Sequence, residues 1–279
     1  MSDLEERIMC MEHDNEWERI REEKDISSFI SEHAVEPLIV CLEDKSEDVR
    51  RAAVWALGEI SSERAVEPLI ARLEDTDDQV RRAAADVLGE LKSERAVEPL
   101  IARLEDESED VRRSAAWALG SLKSERAVEP LIKLLKDKDL RYAAVSALGE
   151  INSERAVEPL IAWLEDERVK VCVAVAKTLG EIKNERAVDA LIAKLEDKRV
   201  EVRVAVAMAL GEIGSERAVD ALIARLEDKS VDVRCVTVGA LGSIRSKRAI
   251  EPLIARLEDN NDEVRKEAHY AVSKIQELT

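Results

Sequence analysis

VRRAAVWALGEISSERAVEPLIARLED, residues 49–75, contains two helices and the short turn between them. In its second half Val66, Leu69, Ile70 and Leu73 recur at i, i+3, i+4 and i+7, the single apolar stripe of an α-helix. Pro68 has no N–H and fits only the first turn, so this helix is predicted to start near Arg64 or Ala65. In the first half Val49, Ala53, Ala56, Leu57 and Ile60 form the stripe of another helix over 48–60. The period runs through Gly58, which places that glycine inside the helix, at a cost of ~1 kcal/mol relative to alanine. A recurring cost of this kind predicts a neighbouring helix close enough for a Cβ to block.

The stretch repeats along the chain. The proline of AVEPLI recurs as Pro37, Pro68, Pro99, Pro130, Pro159 and Pro252, with Ala190 and Ala221 in two repeats. The spacing is 31 residues except for one step of 29. Glycine marks the second half of seven repeats, from Gly58 to Gly242, and Ser273 takes its place in the last. Eight repeats result: 32–62, 63–93, 94–124, 125–153, 154–184, 185–215, 216–246 and 247–279. Residues 1–31 fall outside the pattern and read as N-terminal capping helices. A hairpin of this size cannot bury its stripe alone, so the repeats must stack into an all-α solenoid whose stability comes from contacts between neighbours.

Composition agrees. Of 279 residues 46% are apolar but only 3% aromatic, and Gly (9) and Pro (6) are scarce, which excludes an aromatic-rich β-sandwich and a disordered chain. A net charge of −18 repels a phosphate backbone and argues against nucleic acid as a partner. No apolar run approaches the ~20 residues of a membrane span, and the N-terminus carries acids where a targeting peptide carries bases. Cys10, Cys41, Cys172 and Cys235 form no CxxC pair, which fits reduced thiols and a cytoplasmic location.

The stretch VRRAAVWALGEISSERAVEPLI resembles the short HEAT-like repeat of the phycobilisome-lyase type, and the resemblance extends over 248 of the 279 residues. It implies a right-handed α/α superhelix, first helices outside and second helices lining the concave face. Family members include chromophore-lyase subunits, deoxyhypusine hydroxylase and adaptors, and the same consensus underlies artificial binding scaffolds, so the fold leaves function open. The hydroxylase holds iron with His-Glu pairs on its second helices. No repeat here has one, which excludes that activity.

Comparing the repeats separates scaffold from surface. Asp44, Asp75, Asp106, Asp137, Asp166, Asp197, Asp228 and Asp259 form one constant column, and Arg50, Arg81, Arg112, Arg141, Arg203, Arg234 and Arg265 form another. The columns resemble the Asp/Arg ladder that bridges HEAT-type repeats; a row of anion-binding arginines is the competing reading. Cys172 replaces the fifth arginine and predicts an interruption. Two other columns share nothing. One reads Trp55, Asp86, Trp117, Ser146, Lys177, Met208, Gly239, Tyr270; the other, four residues earlier, reads Arg51, Arg82, Arg113, Tyr142, Val173, Val204, Cys235, Lys266. Residues four apart share a helical face, and by the resemblance that face is concave.

This variable face is the candidate partner-binding surface. Trp55, Trp117 and Tyr142 are its anchors, and Arg51, Arg82 and Arg113 give orientation and a preference for acids. The tryptophans are expected roughly 20 Å apart at ~10 Å per helix. In repeats 5–7 Val173, Val204, Met208 and Cys235, joined by Val169, Val200 and Val231, form either an exposed apolar patch, open to self-association, or packing between neighbouring second helices. Repeat 4 is two residues short after Asp137. Leu134 and Trp163 replace basic residues of the first helices around it, either covering the irregular joint or forming a second contact patch.

The chain shows no catalytic constellation. His13, His33 and His269 are far apart, none with a metal ligand at the required spacing, and phosphate-loop, nucleophile-elbow and dinucleotide fingerprints are missing. The expectation is a non-enzymatic scaffold that binds a protein partner through the concave face, without metal or cofactor. Two alternatives stay open: a chromophore-lyase-like subunit acting on a tetrapyrrole-binding protein, or an engineered or duplicated array.

Overall fold

The computed structural model describes residues 34–277; the capping helices expected over 1–31 lie outside the described residues. Sixteen α-helices and no strand occur among the described residues, two helices to each repeat. Repeats 1–3 contribute α1 (Val35–Cys41) and α2 (Glu47–Ile60), α3 (Val66–Arg72) and α4 (Asp78–Leu91), and α5 (Val97–Arg103) and α6 (Glu109–Leu122). Repeats 4 and 5 contribute α7 (Val128–Leu134) and α8 (Arg141–Ile151), then α9 (Val157–Ile161) and α10 (Val169–Ile182). Repeats 6–8 contribute α11 (Val188–Lys194) and α12 (Val200–Ile213), α13 (Val219–Arg225) and α14 (Val231–Ile244), and α15 (Ile250–Ala255) and α16 (Asp262–Gln276). The chain divides into two compact units, one ending at Leu134 and the other starting at Leu135, within the shortened loop of repeat 4.

The first helices begin slightly later than their sequence suggests. A 3-10 turn such as Glu63–Ala65 precedes the α-helix, closed by the Ala65 N–H donating to the Ser62 carbonyl at 3.0 Å. The α-helix then opens at Val66, and Pro68 falls in its first turn. Each second helix from α2 to α14 ends on a residue in the left-handed region: Ser61, Lys92, Lys123, Asn152, Lys183, Gly214 and Arg245. That conformation closes the helix and turns the chain into the next repeat within two residues.

The second helices form the close-packed layer of each unit. In the first unit α4 packs against both α2 and α6; in the second, α10, α12 and α14 each pack against the second helix on either side. The repeated glycine sets this spacing. A Cβ at Gly89 would lie 2.8 Å from the Ala118 Cα, and one at Gly211 would lie 2.8 Å from the Ala240 Cα. Glycine is therefore required by the approach of the next repeat's backbone, as the column predicts. Val66, Leu69 and Leu73, with Ala53 and Leu57, are fully or almost fully buried, so the stripes form the core.

The Asp/Arg ladder bridges the repeats. Arg50 donates from Nε and Nη2 to the Asp75 carboxylate at 2.8 and 2.6 Å, and from Nη1 to its own loop carbonyls, Asp44 and Lys45. Arg81 does the same to Asp106, Arg203 to Asp228 and Arg234 to Asp259. These are bidentate rungs between nearly buried partners, and losing one partner of such a pair costs about 3–5 kcal/mol. The arginines are thus held as structural ligands of aspartate, not presented to anions. A second, exposed ladder joins first helices: Arg64 with Glu36, Arg95 with Glu67, Arg126 with Glu98 and Arg217 with Asp189.

Both irregularities of the sequence are compensated. In repeat 4 the shortened loop turns Arg141, whose Nε donates to the Leu135 carbonyl at 2.6 Å while Nη1 reaches Asp166. The Trp163 ring lies 3.7 Å beneath the Arg141 guanidinium, so it covers the irregular loop instead of forming a separate contact patch. In repeat 5 the buried Cys172 breaks the ladder, and Arg199 from the next repeat enters the gap. Its Nη1 donates to the Asp166 and Glu167 carbonyls, and its Nε and Nη2 grip Asp197.

Candidate functional site

Core and ladder account for two faces of each second helix. The variable columns belong to neither, and their large side chains are partly or well exposed. In the first unit Trp55 on α2, Asp86 on α4 and Trp117 on α6 stand at one register on successive packed helices. Trp117 is 42% exposed and Trp55 is partly exposed, so neither is sealed within the stack. A large aromatic left this open on an alanine-rich helix is not required for packing.

Asp86 lies between the two tryptophan-bearing helices and is partly buried. Burial pushes its carboxyl above the usual carboxylate range, against a hydrogen bond from Ser114 and the charge of Arg82. The arginines expected to confer a preference for acids are all paired on their own helices. Arg51 donates to Asp48 at 2.8 Å, Arg82 lies 3.8 Å from Asp86, and Arg113 holds Asp110 at 2.6 Å as well as Glu109. Exposed pairs of this kind are worth about 0–1 kcal/mol each, so an incoming carboxylate can exchange with them at little cost.

Tyr142 belongs to the second unit, where the Lys170 ammonium sits 4.4 Å over its ring. Lys177 is exposed and pairs with Glu181 at 3.5 Å, Met208 is 50% exposed and Tyr270 is 62% exposed. Val173, Val204 and Cys235, with Val169, Val200 and Val231, are neither sealed nor open: each is partly exposed. They stand shoulder to shoulder on α10, α12 and α14, which reconciles the two readings of that stretch. Burial and the nearby Glu267 and Glu263 push the Cys235 thiol up, and burial does the same for Cys172. Both thiols are thereby held in the less nucleophilic form.

Sequence reasoning missed three features. Arg199 and Arg168 occupy helix-start positions that elsewhere hold Ser46, Asp77, Ser108, Ser230 and Asn261; an arginine there, beside a ladder position lacking one, was the available signal. The exposed ladder of the first helices was visible as a repeated Glu and Arg 28 residues apart. The Lys170–Tyr142 contact left no signal beyond the departure of both columns from their usual residues.

No cluster of three or more His, Cys, Asp or Glu among the described residues is arranged to hold a metal ion. No described helix is long and apolar enough to cross a membrane. A shallow polar depression lined by Thr76, Asp77, Asp78, Arg81, Glu107 and Ser108 rests on the Arg81 rung, whose guanidinium is already committed to Asp106.

A sequence profile described as HEAT repeats matches residues 7–85, 66–141, 136–200 and 188–273. Among curated proteins none is significantly similar. Among solved structures, Escherichia coli YibA superimposes with a TM-score of 0.61 at 23% identity, covering 86% of this chain and 92% of its own. An engineered protein superimposes with a TM-score of 0.56 at 22% identity, covering 88% of this chain and 79% of its own. The complex of CpcE and CpcF of phycocyanin lyase from Nostoc sp. PCC7120 gives 0.51 at 25% identity, covering 88% of this chain and 94% of that one.

Proposed function

The chain belongs to the HEAT repeat family, and from that premise we propose that it is a non-enzymatic scaffold that holds a protein partner on the variable face of its second helices. The observation that carries this reading is the exposure of Trp117 at the register of Trp55 and Asp86, on helices whose other faces are consumed by core and ladder. Tryptophan and arginine are the side chains that most often dominate protein interfaces, and here they share one face with exchangeable ion pairs. A cytoplasmic setting suits the scattered thiols, of which Cys172 and Cys235 form no disulfide.

The test replaces Trp55 and Trp117 together by alanine and compares the proteins captured by the variant and the parent chain. Loss of the captured partner, with affinity reduced roughly 30-fold or more, is the expected result. An unchanged set of captured proteins overturns the reading.

The likeness to one chain of the CpcE–CpcF complex favours a second reading, in which the chain is one subunit of a chromophore lyase acting on a tetrapyrrole-binding protein. Mixing the chain with a bilin and an acceptor protein, and following absorbance, separates that reading from the first.

A further inference from the structure

The apolar rows of repeats 5–7 replace whole ion pairs. In repeat 3 the helix positions four apart hold Glu109 and Arg113, which pair with each other, and in repeat 8 they hold Asp262 and Lys266, 2.9 Å apart. In three consecutive repeats between them both members change together, to Val169 and Val173, Val200 and Val204, and Val231 and Cys235. Losing one member would leave a stray charge; losing both builds an apolar strip across three packed helices, with the half-exposed Met208 beside it.

The replacement is incomplete in one respect. In repeats 1 and 3 the intervening acid, Asp48 or Asp110, pairs with Arg51 or Arg113. The equivalent acids persist in repeats 6 and 7 as Glu201 and Asp232, three residues before Val204 and Cys235, which take the arginine's position. Glu263 and Glu267 border the strip on the α16 side, close enough to Cys235 to disfavour its thiolate. Farther along α12, eight residues past Val204, Glu212 lies over Gly180, within the repulsive field of Glu181 and the attractive fields of Lys183 and Lys177. The strip is thus apolar in the middle and mainly acidic at its margins; of the nearby bases, Lys177 and Lys266 are paired with Glu181 and Asp262, and Lys170 stands over Tyr142.

We infer that the α10–α12–α14 face seats a basic amphipathic helix of a protein partner, its apolar side on the valine rows and its lysines or arginines against Glu201, Asp232, Glu263 and Glu212. The inference rests on the scaffold reading and names the chemistry of one partner. Three helices at ~10 Å spacing span a length matched by a helix of roughly 14 residues lying across them. A second copy of the chain fits poorly, because a symmetric pairing would face one acidic margin against another in a chain of charge −18. Anionic membranes and nucleic acids meet the same repulsion.

The test uses the full chain and three synthetic peptides of roughly 14 residues: a helix with a leucine face and lysine flanks, the same helix with glutamate flanks, and a scrambled leucine–lysine peptide without an apolar face. Fluorescence anisotropy at physiological salt reads the affinity. The amphipathic lysine peptide should bind about tenfold or more tighter than either other peptide. Val200→Glu/Val204→Arg, which installs the ion pair that repeat 3 already folds with, should weaken it by about tenfold or more. Equal binding of the scrambled peptide, an unaffected double variant, or no binding of the lysine peptide each overturns the assignment. So does a dimer in sedimentation that the double variant dissociates, which would make a second copy the occupant. Trp55→Ala/Trp117→Ala should leave peptide binding intact. If the peptide fails while tryptophan-dependent capture persists, only this inference falls; if capture ignores the tryptophans while the peptide binds, the tryptophan-anchored scaffold reading falls and the α10–α12–α14 site stands.

Discussion

Arg199 completes the rung that Cys172 leaves open. Its Nη1 takes the Asp166 and Glu167 carbonyls, both at 3.1 Å, and its Nε and Nη2 hold Asp197, both at 2.8 Å. In repeat 6 the regular ladder arginine, Arg203, takes the equivalent acceptors: the Asp197 and Lys198 carbonyls and the Asp228 carboxylate. A guanidinium therefore fills the same set of acceptors from either side of the joint. The Cys172 thiol occupies what remains of the space, 3.5 Å from Arg199 Nη2.

This substitution of one arginine by another predicts a reciprocal pair of variants. Arg199→Ser should lower stability by about 3 kcal/mol, because it leaves the Asp197 carboxylate nearly buried without its fork. Cys172→Arg combined with Arg199→Ser recreates the joints between repeats 2 and 3 and between repeats 6 and 7, where Arg81 is followed by Ser108 and Arg203 by Ser230, and should recover most of the loss. Cys172→Arg alone places two guanidiniums on one acceptor set and should be destabilising. Calorimetric Tm values of the four proteins close the cycle, and additive effects would refute the exchange.

Helical glycines give opposite outcomes at two depths. Gly→Ala in a helix interior normally gains up to ~1 kcal/mol. At Gly211 the new Cβ meets the Ala240 backbone at 2.8 Å, so the repeats must separate; Gly211→Ala should destabilise by about 2 kcal/mol or more. At Gly239 the nearest atom is the flexible Glu267 carboxylate at 3.1 Å, so Gly239→Ala should stabilise by roughly 0.5–1 kcal/mol. Denaturant midpoints of the two variants should shift in opposite directions.

Acid should unfold the array through its aspartates. Burial opposes ionisation of Asp166, but hydrogen bonds from the Arg168 side chain and backbone and from Arg141 outweigh it and hold the carboxyl at about 2. Asp75, Asp106, Asp197, Asp228 and Asp259 are lowered by their own arginines in the same way. A carboxyl lowered in the folded state contributes stability that is fully present above its ordinary value of 3.8 and is lost as pH falls toward 2. Asp166 alone should contribute about 2 kcal/mol across that window. Asp86 has the opposite sign: burial raises it, so its ionised form weakens the fold. Asp86→Asn should raise the Tm at pH 7, and the gain should vanish below about pH 4, where the parent is protonated as well.

Architecture was legible because each repeat restates it: Pro68 and its counterparts mark where helices start, and the Gly58 column marks where they touch. The ladder was legible because Asp75 and Arg50 recur at constant positions. Arg199 was not, because its rung depends on a guanidinium crossing between repeats, which no single repeat encodes. The variable face could be located from the lack of agreement between repeats. The state of its arginines could not, since Arg113 shows its partners Glu109 and Asp110 only once the helix positions them. The valines of repeats 5–7 read as either core or surface because aliphatic residues serve both, and the structure places them between the two.

Trp117 and Trp163 should separate surface from scaffold by measurement. Trp117 is 42% exposed on the proposed binding face, so Trp117→Ala should cost under about 1 kcal/mol of stability while weakening partner capture. Trp163 lies under the Arg141 guanidinium, whose side chain is 9% exposed. Trp163→Ala removes that cover and a desolvated cation–π contact, and should cost about 2–4 kcal/mol without altering capture. Iodide should quench the emission lost in Trp117→Phe far more readily than that lost in Trp163→Phe. Equal stability losses at both positions would show that Trp117 belongs to the scaffold and would remove the strongest anchor from the proposed interface.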